Sequence, residues 1–378
     1  MTRIRHFLDH NAGAPLLDAA RARMIEAMDL AGNPSSVHAE GRAARAVVEQ
    51  ARAEVAALCG TATDRVLFTS GGTEANAWML HQARPGRLLV SGIEHDSIAR
   101  ARPDAVVLPV DGGGVVDPDA VARALDALPG GAAGAMVVVM AVNNETGVIQ
   151  PIAEIAGVAR ARGVRIACDG VQAAGRIDLV PLAGLVDFLS LSAHKIGGPK
   201  GVGALIAGAG VEPGAMIAGG QEFRRRGGTE NLPGIAGFGA AAAVASARDR
   251  AADNRRIGAL RDRIEVSLAA VADDVIFAGS NAWTGRVANT TSVVLPGLAG
   301  EMQVMRMDLA GIAVSAGSAC SSGKVTASPV LLAMGFEDLA GQAIRVSLGA
   351  STTEDDVDAF VRAWTAMAAR RLRTTVSA

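Results

Sequence analysis

Tyrosine is absent from the 378 residues, aromatic side chains make up only 3%, and cysteine occurs three times. Without tyrosine there is no phenol to act as acid, base or ring-stacking group. Cys59, Cys168 and Cys320 form neither a C-x-x-C pair nor an even-numbered framework, so a disulfide scaffold is not expected and a reduced, cytoplasmic setting is. No run of 18 charge-free, strongly apolar residues is present, which argues against a membrane span. The opening MTRIRHFLDHN turns polar at once, so a secretory signal is not expected either. A formal net charge of -2 leaves no basic excess to neutralise phosphates, so direct nucleic-acid binding is not expected. Locally, the run Arg224-Arg225-Arg226 could hold an acidic ligand.

What is present is a chain that is 50% hydrophobic, rich in alanine and glycine, and long enough for two units. Polar residues at helical spacing predict helices over 19–29 and 43–58. Short β-branched runs at 88–90, 105–110, 135–140 and 164–168 read as strands, with helical segments at 119–128 and 152–162 between several of them. VDFLSLSA (186–193) and GVGALIAG (201–208) add two more strands. This alternation predicts an α/β fold with a mostly parallel sheet. One alanine-rich helix around 239–263 would lead out of that unit. TSVVLP, AIRVSLG and a final helix over 353–371 would then make a smaller α+β domain.

Three stretches carry chemistry. In LSLSAHKIGGPKGVGAL two apolar strands flank a polar turn, which puts Ser192, His194 and Lys195 at the mouth of a sheet. A lysine there can form a Schiff base with a carbonyl cofactor, whereas a plain turn would leave it facing solvent. In FTSGGTEANAWML a strand runs through Gly71, Gly72 and Thr73 into an apolar helix, a pattern that suits an anion site or an ordinary N-cap. Asp169 follows the strand VRIAC, with Gln172 three residues on; Asn144 ends the preceding strand and His95 follows LLVS. Each could be a strand-end turn residue, and what raises their interest is the shared position after separate strands. His6, His10 and His38 match no compact metal-ligand pattern.

Ten ordered motifs, taken together, resemble the cysteine desulfurases of the class V aminotransferase group. They are FLDHNAGAP, GNPSSVH, FTSGGTEAN, EHDS, NNETG, DGVQ, SAHKIGGPKG, GGQEFRRRGGTEN, SAGSACSSG and IRVSLG, and they span essentially the whole chain. The resemblance implies the type I pyridoxal-phosphate-dependent transferase fold, like that of aspartate aminotransferase. It implies a large cofactor-binding domain over residues 14–250 and a small domain from 1–13 and 251–378. Carried over by position, Lys195 corresponds to the lysine that holds pyridoxal 5'-phosphate, Asp169 to the partner of its ring nitrogen and Gln172 to that of its ring hydroxyl. His95 corresponds to the ring-stacking, proton-moving histidine; Gly72, Thr73, Ser192 and His194 correspond to the phosphate site. Thr229 matches a threonine that reaches the phosphate from a partner subunit, which implies a homodimer with composite active sites. Asn144 and Arg345 match the residues that hold the substrate carboxylate.

Among the cysteines, Cys59 ends an apolar helical run and reads as packing, and strand alternation turns Cys168 away from Asp169. Cys320, in AGSACSSG, matches the catalytic cysteine that takes sulfur from L-cysteine as a persulfide. The fifteen residues 321–335 that follow resemble the long-loop subgroup serving iron–sulfur cluster assembly, which implies a scaffold protein as acceptor. No metal site is expected, with Cys320 the one residue available to a transferred cluster. Selenocysteine lyase activity, sulfur donation to tRNA or DNA thiolation, and plain transamination are the alternatives on the same fold. The chain departs from the family pattern at AGAP (12–15), where the family usually ends its motif A-T-T-P, and at Gly72, where alanine is common.

Overall fold

Seven short apolar runs form one sheet, in the order Val66–Thr69, Gly203–Ala207, Phe188–Ser192, Arg165–Asp169, Met136–Val138, Leu88–Ser91, Val106–Leu108. The computed structural model describes residues 5–317 and 327–376, so Cys320 lies outside the described residues. Neighbouring strands are parallel except at Gly203–Ala207, which runs antiparallel to both of its partners. Helices cover both faces, which is why the inner strands are apolar without alternation. Val137, Ile166, Cys168 and Leu189 pack on one face with the helices Ala39–Cys59 and Leu232–Ala247. Val138, Ala167 and Phe188 pack on the other with Trp78 and Met79 of the helix Gly72–His81.

A second, antiparallel sheet joins Ser315–Ala316, Ala343–Ser347, Thr290–Val294 and Ile276–Ala278 in that order. Its core is built on Val293, Ile344 and Val346 beneath Ile264, Phe360 and Trp364. The short strand His6–Phe7 pairs in parallel with Ile312–Ala313, and Asp9 bridges to Ser347. The segment that follows, Asn11 and Ala12, is thereby drawn from the second sheet to the edge of the first.

The single helix expected around 239–263 is instead two, Leu232–Ala247 and Arg250–Ala269. Arg248 is extended, and the Asp249 side chain accepts from the Ala252 N–H at 3.0 Å, starting a new helix as an N-cap does. Alanine content alone hid that cap.

One turn carries strain. Glu222, Phe223 and Arg224 have φ of 45°, 56° and 66°, a left-handed conformation that costs about 1–2 kcal/mol for each side-chain-bearing residue. A buried clamp holds it. Arg52 Nη1 and Nη2 donate to the two Glu222 carboxylate oxygens at 2.8 and 3.0 Å, and the Phe68 N–H donates to Glu222 Oε2 at 2.8 Å. The Arg52 guanidinium also lies 4.9 Å from the Phe68 ring centre and 5.1 Å from that of Phe223. The turn leads directly into Gly227, Gly228 and Thr229.

Candidate active site

Six strands of the large sheet point the same way and end along one edge, at Thr69, Ser91, Leu108, Val138, Asp169 and Ser192. The loops leaving that edge enclose a cavity of about 460 Å³, closed on the other side by Arg345 and Ser315 of the second sheet. Residues from separate strand ends meet here for a topological reason, since parallel strands present all their carboxyl ends on one side.

Lys195 sits at the end of the one-turn segment Ala193–Lys195 that follows the strand Phe188–Ser192. Its Nζ donates to the backbone carbonyls of Asn11 at 2.5 Å and Ala12 at 3.1 Å. Burial and the nearby Arg345 and Arg176 lower the amine to about 8, against Asp169 and Asp9, which favour the cation. Asp169 closes its strand; Oδ2 accepts from Asn76 Nδ2 at 2.8 Å and Oδ1 from the Val171 N–H at 2.9 Å. His95 caps the short helix Asp96–Ala99, its Nδ1 accepting from the Ser97 N–H at 3.1 Å. A neutral His95 ring therefore carries its hydrogen on Nε2.

Beside Lys195 a recess is lined by Gly71, Gly72, Thr73, Ser192, His194 and Lys200. It lies at the start of the helix Gly72–His81, where free N–H groups favour an anion. Ser192 Oγ and His194 Nδ1 are 2.9 Å apart. Burial, Lys195 and Lys200 lower His194 to about 4, so it is neutral at pH 7 and presents a donor without adding charge. A Cβ on Gly72 would lie 2.8 Å from Val171 Cγ2 and 3.4 Å from Ser192 Cβ, so glycine here makes room for Val171.

Opposite, Arg345 donates from Nη1 to the Asn144 carbonyl at 3.1 Å and from Nη2 to Asp9 Oδ1 at 2.8 Å. Asn144 lies beyond its strand rather than at its end, in the turn that Asn143 organises by accepting from the Glu145 and Thr146 N–H groups. Among the described residues, Asn76 Oδ1, Glu94 Oε2, Asn144 Oδ1, Gln172 Oε1 and Arg345 Nε are buried and unpaired, and all belong to residues that line this cavity. Unpaired buried polar atoms are costly, and their concentration in one cavity marks a polar ligand site.

The cavity thus gathers Gly72, Thr73, His95, Asn144, Asp169, Gln172, Ser192, His194, Lys195 and Arg345. Thr229 is not among them; it borders a separate recess with Arg226 and Glu230. The sequence reading passed over Asn76, which anchors Asp169, and Glu94, whose Oε1 accepts from the Met140 N–H at 2.8 Å. The signal for Asn76 was an amide on the apolar face of ANAWML; the signal for Glu94 was a carboxylate directly before His95.

The Aminotransferase class-V family profile matches residues 6–360. A cysteine desulfurase of Cereibacter sphaeroides is 38% identical over 371 residues, covering 94% of this chain and 93% of the relative. One from Bradyrhizobium diazoefficiens is 40% identical over 345 residues, 87% and 86% of the two chains. The chain belongs to the cysteine desulfurases of the class-V aminotransferase family. Among solved structures, a NifS-like protein from Rickettsia africae superposes with a TM-score of 0.87 at 33% identity, covering 96% of this chain and 98% of the other. The mixed α/β architecture is accordingly that of the type I pyridoxal-phosphate-dependent enzymes to which this family belongs.

No helix among the described residues is long and apolar enough to cross a membrane. Nor does any group of three or more described His, Cys, Asp or Glu residues form a metal site.

Proposed function

We propose that this desulfurase holds pyridoxal 5'-phosphate on Lys195 and passes the sulfur of L-cysteine to Cys320. The observation that carries the reading is the arrangement around one cavity: an amine lowered to about 8, a buried carboxylate at Asp169, an anion recess, and Arg345. The donor set fits the cofactor. The recess suits its phosphate, Asp169 its ring nitrogen, the unpaired Oε1 of Gln172 its ring hydroxyl, and His95 the face of its ring. When bound, pyridoxal phosphate supplies an electron-withdrawing ring that acidifies the substrate Cα.

The chain's own groups do the rest. Arg345, whose Nε is unpaired, holds the substrate carboxylate together with Asn144. Asp169, anchored by Asn76 and the Val171 N–H, stays fixed while charge changes beside it. The Lys195 amine, once released, accepts and returns a proton, which its lowered basicity favours near neutral pH. His95 commits Nδ1 to the Ser97 N–H, which leaves Nε2 to act as the second proton carrier. The Cys320 thiolate attacks the substrate sulfur, alanine leaves, and the sulfur stays on Cys320 as a persulfide.

In this reading the persulfide passes on to a protein scaffold for iron–sulfur assembly, supported by the length of the segment after Cys320. Thr229 serves a second copy of the chain; its place outside its own chain's cavity, on a turn fixed by the Arg52–Glu222 clamp, supports a homodimer. The test is direct. Purified chain with pyridoxal phosphate and L-cysteine should yield alanine and sulfide, and Cys320→Ala should abolish sulfide release. Full sulfide release by that variant would remove Cys320 as the nucleophile. Lys195→Ala should lose the yellow chromophore, and its retention would remove Lys195.

A further inference from the structure

Two cations converge on Asn11. Lys195 Nζ donates to its backbone carbonyl at 2.5 Å, and Arg176 Nη2 donates to its side-chain Oδ1 at 3.1 Å. Arg176 Nη1 donates to the Gln172 carbonyl at 2.8 Å, and Gln172 Nε2 returns to the same Asn11 carbonyl at 3.0 Å. Arg176, Gln172 and Asn11 therefore close a hydrogen-bonded ring with Lys195 attached to it.

Asn11 itself has little freedom. Its N–H donates to Ser347 Oγ at 2.9 Å, and its Nδ2 to the Asn144 carbonyl at 3.1 Å and Thr290 Oγ1 at 3.0 Å. Asn289 Nδ2 donates to its Oδ1 at 3.1 Å. Every partner that Arg176 has here is a neutral oxygen, and among the described residues no carboxylate hydrogen-bonds to it. A part-buried guanidinium without a counter-ion projects its field further than a paired one. Arg176 also borders a second cavity, of about 340 Å³, of which Lys195 forms a wall as well.

We infer that Arg176 is a positioning residue for Lys195: it fixes the Asn11 carbonyl that grips the amine and sets an uncompensated positive charge beside it. The inference rests on Lys195 being the cofactor-bearing lysine. The consequence of that charge is a Lys195 nitrogen that gives up its proton more readily, against the two carbonyls, whose acceptance of the N–H groups favours the cation. The charged groups acting on that nitrogen are Arg345 and Arg176, which disfavour the cation, and Asp169 and Asp9, which favour it. His194, next in the chain, is neutral. Arg345 is tied to Asp9 by a direct ion pair, which leaves Arg176 as the cation with no such partner.

The test is a pH titration of the absorbance of pyridoxal phosphate bound to the full chain, which reads the charge on the Lys195 nitrogen. Arg176→Gln and Arg176→Met should move the midpoint upward by about one pH unit. Arg176→Lys, which keeps the charge but not the fork, should hold it near the wild-type value. An unmoved midpoint in the neutral variants overturns the inference. So does an Arg176→Lys midpoint displaced as far as theirs, because the effect would then be loss of packing.

A second measurement does not depend on the cofactor. The chain has only three lysines, Lys195, Lys200 and Lys324, so acylation of Lys195 can be followed against pH by peptide mass. The Arg176→Lys and neutral variants should separate there in the same way, and coincident profiles overturn the inference. If wild type binds pyridoxal phosphate elsewhere than Lys195, the cofactor assignment fails while the acylation arm still judges Arg176.

Discussion

Arg345 is joined to Asp9 at 2.8 Å through Nη2, while its Nε has no partner among the described residues. The guanidinium is thus held by one carboxylate and left with a donor for another. Lysine has no counterpart to that free Nε and cannot make the forked contact. Arg345→Lys should raise KM for L-cysteine roughly 10- to 100-fold, the range for a hydrogen bond to a charged group, with cofactor content unchanged. Steady-state alanine formation alongside cofactor absorbance checks it.

Asn76 is a second lever, one step from the chemistry. Its Nδ2 holds Asp169 Oδ2 at 2.8 Å and Ser97 Oγ at 2.9 Å. Asn76→Ala should leave Asp169 less fixed and weaken retention of pyridoxal phosphate about tenfold or more. Titration of the cofactor-free chain by fluorescence would show it, and unchanged affinity would mean that the Val171 N–H suffices.

Gly72 and Val171 form a matched pair. Alanine at 72 would place a methyl 2.8 Å from Val171 Cγ2, and overpacking of this kind costs about 1–3 kcal/mol. Gly72→Ala should lower Tm, and adding Val171→Ala should recover most of the loss. A double variant no more stable than the single one would place the strain in the backbone instead.

Glu94 predicts a pH dependence. Complete burial, with a smaller contribution from Asp169, raises its carboxyl to about 8, against hydrogen bonds from Ser91 and Met140 that favour the anion. The unfolded chain ionises this group near 4.5, the folded chain only near 8, so the folded state holds the extra proton between them. Its contribution to stability is therefore full below about 4.5 and declines as pH rises towards 8. Glu94→Gln, which mimics the protonated acid, should match wild type near pH 4.5 and melt at a higher temperature at pH 8. Thermal melts of the cofactor-free chain at the two pH values test the sign.

Lys195 gives a second pH effect, in rate. Because its amine is lowered to about 8, the fraction able to attack an aldehyde grows as pH rises through that value. Uptake of pyridoxal phosphate by the cofactor-free chain should accelerate from pH 6.5 to 8.5 and level off above. Stopped-flow absorbance would follow it, and a midpoint near 10.5 would mean an amine left in its ordinary range.

Much of this site could be read in the sequence because it lies where strands end. Asp169 after VRIAC and Lys195 after LSLS are fixed by local pattern plus one topological rule, and both line the cavity. Asn76 and Arg176 were not legible, since their importance comes from partners 93 and 165 positions away in the chain. The helix break at Asp249 was missed for the opposite reason: the cap is local, but alanine on both sides masked it. Thr229 was legible only as part of a motif, and the strained turn that precedes it has no signature in composition.

Strand alternation around Asp169 has a practical corollary. Cys168 points into the dry core while its neighbour faces the cavity, and burial pushes its thiol well up; Cys59, equally enclosed, is pushed up to about 12. Both are closed to alkylating reagents while the fold is intact. The third of the chain's three cysteines, Cys320, lies outside the described residues. Any maleimide dye taken up by the folded chain would therefore report on Cys320 without mutagenesis, and the fraction of that label a reductant releases, which is dye joined through the outer persulfide sulfur, would time the arrival of sulfur.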